Sequence, residues 1–277
     1  MNVGIVGLGL IGGSFAKAYS LAGENVLAFD VDASTYSLAQ ITEAVNGDLS
    51  EKTIPTCDLI LLCVYPQAAI EYMKNNAEFI NSDTIVIDCC GIKREVVAAG
   101  EKIAKEYGFT FVGGHPMAGT QYSGFKYAKA DLFVGAPMVI VPPKFDDIKL
   151  LDKIKKLLAP AGFGSISVTT AQKHDEMIAF TSQLAHVVSS AYIKSPTAKL
   201  HKGFSAGSYK DMTRVAWLNP SMWTELFLDN SDYLVNELDA LIDNLNDYKQ
   251  AIMQKDSEKL YQLLLDGKRQ KEEIDGK

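Results

Sequence analysis

Hydrophobic and polar positions follow two different rhythms along this chain, and the change falls near residue 169. Before it, short apolar runs of strand length recur at residues 3–6, 25–29, 58–64, 84–89, 109–112, 137–141 and 164–168. The run 58–64 (DLILLCV) is apolar throughout, as a strand covered on both faces requires. Segments with helical spacing separate most of these runs, beginning with 11–22 and 33–44. Such alternation predicts an α/β domain over residues 1–168, a doubly wound parallel sheet with helices on both sides. After the change the strand pattern stops. Residues 170–193 read as one long helix, and Pro196, Gly203, Gly207 and Pro220 are the main later breaks. An all-α domain is therefore expected over 169–277. Its apolar positions 234, 238, 241, 245, 248 and 252 alternate steps of four and three, a heptad seam. That seam serves either packing within the domain, the commoner case, or a subunit interface.

The first strand runs into Gly7-Leu8-Gly9-Leu10-Ile11-Gly12 and then into the first helix. In a strand–loop–helix–strand unit each glycine has a task. Gly7 permits the tight turn, Gly9 lets a pyrophosphate approach the backbone, and Gly12 lets helix and strand pack closely. The helix N-terminus adds free N–H groups for the phosphates. The second strand ends at Asp30, where a carboxylate can bond the adenosine ribose hydroxyls and repel a 2′-phosphate. The expected cofactor is thus NAD, a Rossmann-type cofactor, rather than NADP. Asp32 is a near competitor for the ribose, and an aspartate that only opens a turn is the structural alternative.

Composition narrows the partners. The chain is 47% hydrophobic and 22% charged, with a net charge of −7. An acidic balance argues against a nucleic-acid partner. No apolar run reaches the roughly 20 residues a membrane span needs, and residues 1–12 lack the pattern of a secretory leader. The four cysteines, 57, 63, 89 and 90, lack zinc-ligand spacing, so no metal is expected. Reduced, buried thiols in a cytoplasmic protein fit them better.

One of the four histidines, His115, lies in GGHPMAG, where the run 109–112 is expected to empty into a flexible glycine loop. A turn with a locally bonded imidazole is the plain structural reading. A loop at the carboxyl end of a parallel strand is also where open α/β sheets hold ligands. His186 and Ser182 stand four apart on the expected long helix and so share a face. Lys210, Asp211 and Arg214 cluster near glycine-lined backbone, with Trp223 following. Beside a nicotinamide site these suggest a pocket for an anionic substrate, because arginine grips carboxylates in a bidentate fork.

The stretches GLGLIGGS, GGHPMAGTQYSG and KDMTRVAWLNPSMW, in that order, resemble the prephenate dehydrogenase family of tyrosine biosynthesis. The resemblance implies a Rossmann domain joined to a helical domain that forms a homodimer. It also implies oxidative decarboxylation of prephenate to 4-hydroxyphenylpyruvate with NAD, some members acting on arogenate instead. Matched by position, His115 corresponds to the catalytic histidine and Arg214 to the arginine that holds a substrate carboxylate. His186, Ser182, Thr120, Gly207 and Trp223 correspond to further pocket positions. Leu8, Leu10, Ile11, Val64 and Gly91 join Gly7, Gly9, Gly12 and Asp30 around the cofactor. One departure matters. Where the family often has a serine that orients the histidine, this chain reads Asp88-Cys89-Cys90-Gly91-Ile92-Lys93, and Gly91 has no hydroxyl. Two other classes share the glycine loop. A β-hydroxyacid dehydrogenase or imino-acid reductase would more typically use a lysine or another motif at these places, and an NAD-sensing regulator would need no base.

Overall fold

A computed structural model describes residues 1–120 and 122–276. The chain separates into two compact units, Met1–Asn230 and a second from Ser231 onward. Within the first, the strands are β1 (Asn2–Val6), β2 (Asn25–Phe29), β3 (Gly47–Asp48), β4 (Leu59–Leu62), β5 (Ile85–Asp88), β6 (Thr110–Pro116), β7 (Pro137–Val141) and β8 (Ser165–Val168). They form one sheet in the order β3-β2-β1-β4-β5-β6-β7-β8. The helices between them are α1 (Leu10–Leu21), α2 (Ala33–Ile41), α3 (Pro66–Asn76), α4 (Arg94–Tyr107) and α5 (Ile148–Leu158).

The continuous apolar runs are explained by burial on both faces. Val3, Ile5, Leu59, Leu61, Ile85 and Ile87 point to one side, against Phe15 and Tyr19 of α1 and Ile154 and Leu158 of α5. Ile60, Leu62 and Val86 point to the other, against Ile70 and Met73 of α3 and Val96 and Ile103 of α4. Each large side chain so buried contributes about 1.5–3 kcal/mol of transfer free energy. The sheet is the product of two cores.

Two features depart from the sequence pattern. β3 has only two residues, too short to leave a periodic signal. The sheet also is not wholly parallel. β6 pairs with β5 in parallel through Ile87↔Val112, then runs on and pairs antiparallel with β7 from Gly113↔Val141 to Pro116↔Met138. His115 therefore stands in a strand, opposite Val139, rather than in a flexible loop. The glycines before it are there for packing. A Cβ on Gly114 would lie 2.4 Å from the Asp88 carbonyl oxygen, and one on Gly113 would lie 2.6 Å from Val97 Cγ2.

The expected long helix is likewise modified. It comprises α6 (Ala171–Ile178), a π-helical segment (Ala179–Leu184) and α7 (Ala185–Ile193). A π turn widens the helix by one residue and is found frequently at functional sites. α8 (Gly207–Thr213) and α9 (Pro220–Leu228) complete the first unit. The second unit holds α10 (Ser231–Gln254) and α11 (Ser257–Asp275). Along the α10 seam Leu234 is buried, Leu238, Leu241 and Tyr248 are half-buried, and Leu245 and Ile252 are exposed. Tyr248 Oη donates to the Leu263 carbonyl at 3.1 Å, so part of the seam packs α10 on α11. Among the described residues, no helix is long and apolar enough to cross a membrane.

Candidate active site

The glycine loop forms a cradle with its front left open. Gly7 has φ +87°, and a Cβ there would lie 2.8 Å from the Cys63 carbonyl oxygen and 2.5 Å from Val64 Cγ1. A Cβ on Gly12 would sit 1.8 Å from the Gly7 carbonyl oxygen, so helix and turn can touch only because residue 12 is glycine. Nothing lies within 4 Å of a Cβ on Gly9. Gly9 also precedes α1 as its cap and offers no side-chain acceptor to the first-turn N–H groups, which begin at Leu10 and Ile11. Those donors fit a pyrophosphate.

Asp30 stands at the tip of β2, where its Oδ2 accepts the Leu8 N–H at 2.6 Å and its Oδ1 accepts the Asp32 N–H at 2.8 Å. It borders a cleft of about 940 Å³ that Val6, Val64 and Tyr72 also line. Asp32 is otherwise engaged. Its carboxylate caps α2, accepting from the backbone and hydroxyls of Ser34 and Thr35. Those hydroxyl bonds draw its pKa down to about 2. The two aspartates divide the work: Asp32 ends a turn and Asp30 faces the cleft. The cradle, the open space at Gly9 and the carboxylate at the cleft together fit NAD.

His115 projects from β6 beyond the last residue of β5, at the carboxyl edge of the sheet's parallel part. Its Nδ1 lies 2.8 Å from Nε2 of His174 on α6. His174 Nδ1 in turn lies 2.7 Å from Asp175 Oδ1. The Asp175 side chain is fully buried and accepts the backbone N–H groups of Lys93 at 2.7 Å and Arg94 at 2.9 Å, with Arg94 Nε at 3.3 Å. A second buried carboxylate braces the strand. Asp88 accepts the Gly114 N–H at 3.1 Å and the Cys90 N–H at 2.9 Å, and it pairs with the buried Lys93 ammonium. Burial holds the His115 imidazole well below the ordinary histidine range, and the neighbouring His174 and Lys93 push the same way. Burial also lowers His174, against an opposing bond from Asp175. Both shifts favour the neutral imidazole.

A second group gathers around α7 and α9. His186 Nδ1 lies 2.9 Å from the Val215 carbonyl oxygen, which can only accept, so this nitrogen carries the hydrogen. The ring packs on Trp223 with centroids 3.8 Å apart. Burial, and then the charge of nearby Arg214, keep His186 low, while the Val215 bond opposes them. Arg214 is exposed at the start of a short 3-10 turn, and among the described residues it makes no ion pair. Glu225, a structural partner the spacing allows, instead accepts the Gln67 N–H at 3.2 Å.

The remaining expected residues are placed as follows. Ser182 is half-buried in the π segment. Gly91 follows β5, and a Cβ there would meet only Leu226 of α9 at 3.5 Å. Gly207 opens α8 in open space, and Thr120 is exposed with its hydroxyl bonded to the Tyr122 backbone. Among the described residues, no hydrogen bond or ring contact joins Thr120 or Gly207 to the group around His186. Cys57 and Cys90 are buried as expected, whereas Cys63 and Cys89 are half-buried. Burial and then Asp58 push the Cys57 thiol up to about 12.

Sequence reading passed over His174 and Asp175. In "KHDEM" they look like part of a charged, solvated helix face, and only the fold shows them buried. The one available signal was the adjacent Ala171 and Ile178, which mark this side of α6 as apolar.

The chain matches two family descriptions that together span nearly all of it. "Prephenate dehydrogenase, nucleotide-binding domain" covers residues 15–167, and "Prephenate dehydrogenase, dimerization domain" covers residues 170–266. A cyclohexadienyl dehydrogenase of Zymomonas mobilis is 29% identical over 271 residues, 94% of this chain and 91% of that protein. The structure of prephenate dehydrogenase from Aquifex aeolicus, in complex with hydroxyphenyl propionate and NAD+, superposes with a TM-score of 0.85 at 29% identity. It covers 99% of this chain and 98% of that one. The Synechocystis arogenate dehydrogenase structure gives a TM-score of 0.80 at 28% identity over 98% and 99% of the two chains.

Proposed function

The chain belongs to the prephenate dehydrogenase family, and from that premise we infer how its own residues carry the reaction. It is an NAD-dependent oxidoreductase that converts prephenate to 4-hydroxyphenylpyruvate by oxidative decarboxylation, a step of tyrosine biosynthesis. When bound, NAD supplies the hydride acceptor. Gly7 to Gly12 with the α1 N-terminus hold its pyrophosphate, Asp30 its adenosine ribose, and Val64 and Gly91 border it further along the strand ends.

His115 accepts the proton of the substrate's 4-hydroxyl at Nε2. Loss of that proton lets a carbonyl form at the ring carbon as hydride leaves, and loss of carbon dioxide then completes an aromatic ring. A neutral imidazole is the protonation state this role needs. Burial and the neighbouring His174 and Lys93 favour that state. Arg214 forks onto a substrate carboxylate. His186 presents Nε2 as an acceptor, because Val215 takes the hydrogen on Nδ1, and Trp223 packs against the imidazole at a tilt of 35° to hold it. Ser182, Thr120 and Gly207 complete the pocket. The observation that carries this reading is the half-buried His115 at the carboxyl edge of the sheet, its ring held by His174 and its pKa held low.

We place the functional boundary at 168/169; the family matches over residues 15–167 and 170–266 support it, whereas the compact units divide at Asn230. The exposed part of the α10 seam, Leu245 and Ile252, pairs two copies as a homodimer through the helical domain. The four free thiols suit a reducing cytoplasm.

The test is NADH formation with prephenate, arogenate and a 3-hydroxy acid, each with NAD and NADP. The highest kcat/KM is expected for prephenate with NAD. A higher value for arogenate would move the substrate, one for the 3-hydroxy acid would overturn the reaction, and equal use of NADP would remove the role given to Asp30.

A further inference from the structure

We propose that His174 positions the base: it holds His115 in the tautomer that carries hydrogen on Nδ1 and leaves Nε2 open as the proton acceptor. The inference rests on the reading of His115 as the base and adds what makes that base competent.

Asp175 anchors the relay. Its carboxylate is buried and can only accept, and it faces four donors: two backbone N–H groups, Arg94 Nε and His174 Nδ1. The hydrogen of neutral His174 therefore sits on Nδ1, and its Nε2 holds a lone pair. That lone pair lies 2.8 Å from His115 Nδ1. Two lone pairs cannot meet at this distance without loss of a hydrogen bond in a buried place, so His115 Nδ1 must carry the hydrogen. Neutral imidazole has only one, and His115 Nε2 is left bare. A free histidine ring prefers the opposite tautomer, with hydrogen on Nε2, in which it could not accept a proton there.

Position 91 gives no competing anchor, since it has no side chain. Asp175 is fixed independently at the start of α4 and by Asn230, whose Nδ2 donates to the Asp175 carbonyl at 2.9 Å and to Gln183 Oε1 at 2.7 Å. The relay is thus braced by the strand-end turn at Lys93 and Arg94 and by the π segment. As His115 takes the substrate proton, its Nδ1–H bond to His174 becomes charge-assisted and strengthens. A bond that grows in the transition state acts on kcat and leaves binding alone.

The experiment uses the full chain labelled with ¹⁵N-histidine. Only four histidines contribute, and the His115→Asn and His174→Leu variants assign two of them. In the wild type His115 should show a protonated Nδ1 and a bare Nε2. His174→Leu should shift it toward Nε2–H and lower kcat about 10- to 100-fold, the worth of a charge-assisted hydrogen bond. Prephenate KM and NAD affinity should hold. His174→Gln, whose Oε1 can accept the same hydrogen, should recover most of the lost kcat and the wild-type tautomer, and it reads out the role should the leucine variant fold poorly. The proposal is overturned by an Nε2–H tautomer in the wild type, by full kcat in His174→Leu, or by His174→Gln being as slow as His174→Leu. Full kcat in His115→Asn would instead remove the base itself.

Discussion

In the proposed reaction His115 and Arg214 carry the two most demanding polar tasks, and the protein surrounds them in opposite ways. His115 sits on a strand with its backbone held by Asp88, its ring by His174, and that ring by Asp175. Arg214 stands exposed at a short turn, without an ion pair among the described residues. The difference follows from the chemistry. A base must keep one tautomer and one protonation state before substrate arrives, so folding fixes it. A clamp for a carboxylate gains by leaving its guanidinium unsatisfied until the anion supplies the partner. On the proposed roles, the strand end is preorganised for the proton and the turn is kept available for the charge.

That contrast can be broken most easily at the clamp. Charged hydrogen bonds contribute about 1.5–3 kcal/mol each, so Arg214→Ala should raise prephenate KM about 10- to 100-fold. Arg214→Lys should remain poor, because lysine keeps the charge without the fork. Melting temperature and NAD affinity should stay at wild-type values in both. A lowered melting temperature with weakened binding of both ligands would make Arg214 a structural residue and end the comparison.

A smaller effect sharpens the same contrast through two glycines. Gly114→Ala places a Cβ 2.4 Å from backbone at Asp88, an overpacking that costs about 1–3 kcal/mol. Gly207→Ala places one in open space at the start of α8 and should leave stability unchanged. Thermal melts of the two variants check this. Equal melting temperatures would mean that the strand end is not the rigid member of the pair.

These two regions were also unequally legible in the sequence. The glycine loop, Asp30 and the strand runs were readable because each rests on local rules: a turn that needs φ above zero, a carboxylate at a strand tip, a run buried on two faces. The group of His186, Trp223 and Arg214 was marked by residue type. What stayed hidden needed distant partners. The reversal of direction between β6 and β7 leaves no periodic trace, so GGHP looked like a loop, whereas Gly113 and Gly114 are glycine because Val97 and the Asp88 carbonyl press on them. The π segment preserves apolar spacing on either side and shows only as one extra residue. His174 and Asp175 could not be told from a solvated charge pair until α6 was packed beside β6. The missing hydroxyl at Gly91 was legible, but what stands in for it was not.

The central claim, that a neutral His115 is the base, is tested most directly by the pH dependence of kcat/KM for prephenate, wild type beside His115→Asn. A base works only when unprotonated, so the rate must fall as pH drops through its pKa in the folded enzyme. Burial, His174 and Lys93 hold that pKa below the ordinary 6.5. The wild-type kcat/KM should therefore stay level from neutral pH down past 6.5 and fall only in more acidic solution. His115→Asn should be slower by about 10²- to 10⁴-fold, the usual worth of a positioned base, and should lack that limb. A wild-type limb at or above 6.5, or the same limb surviving in His115→Asn, would contradict the claim.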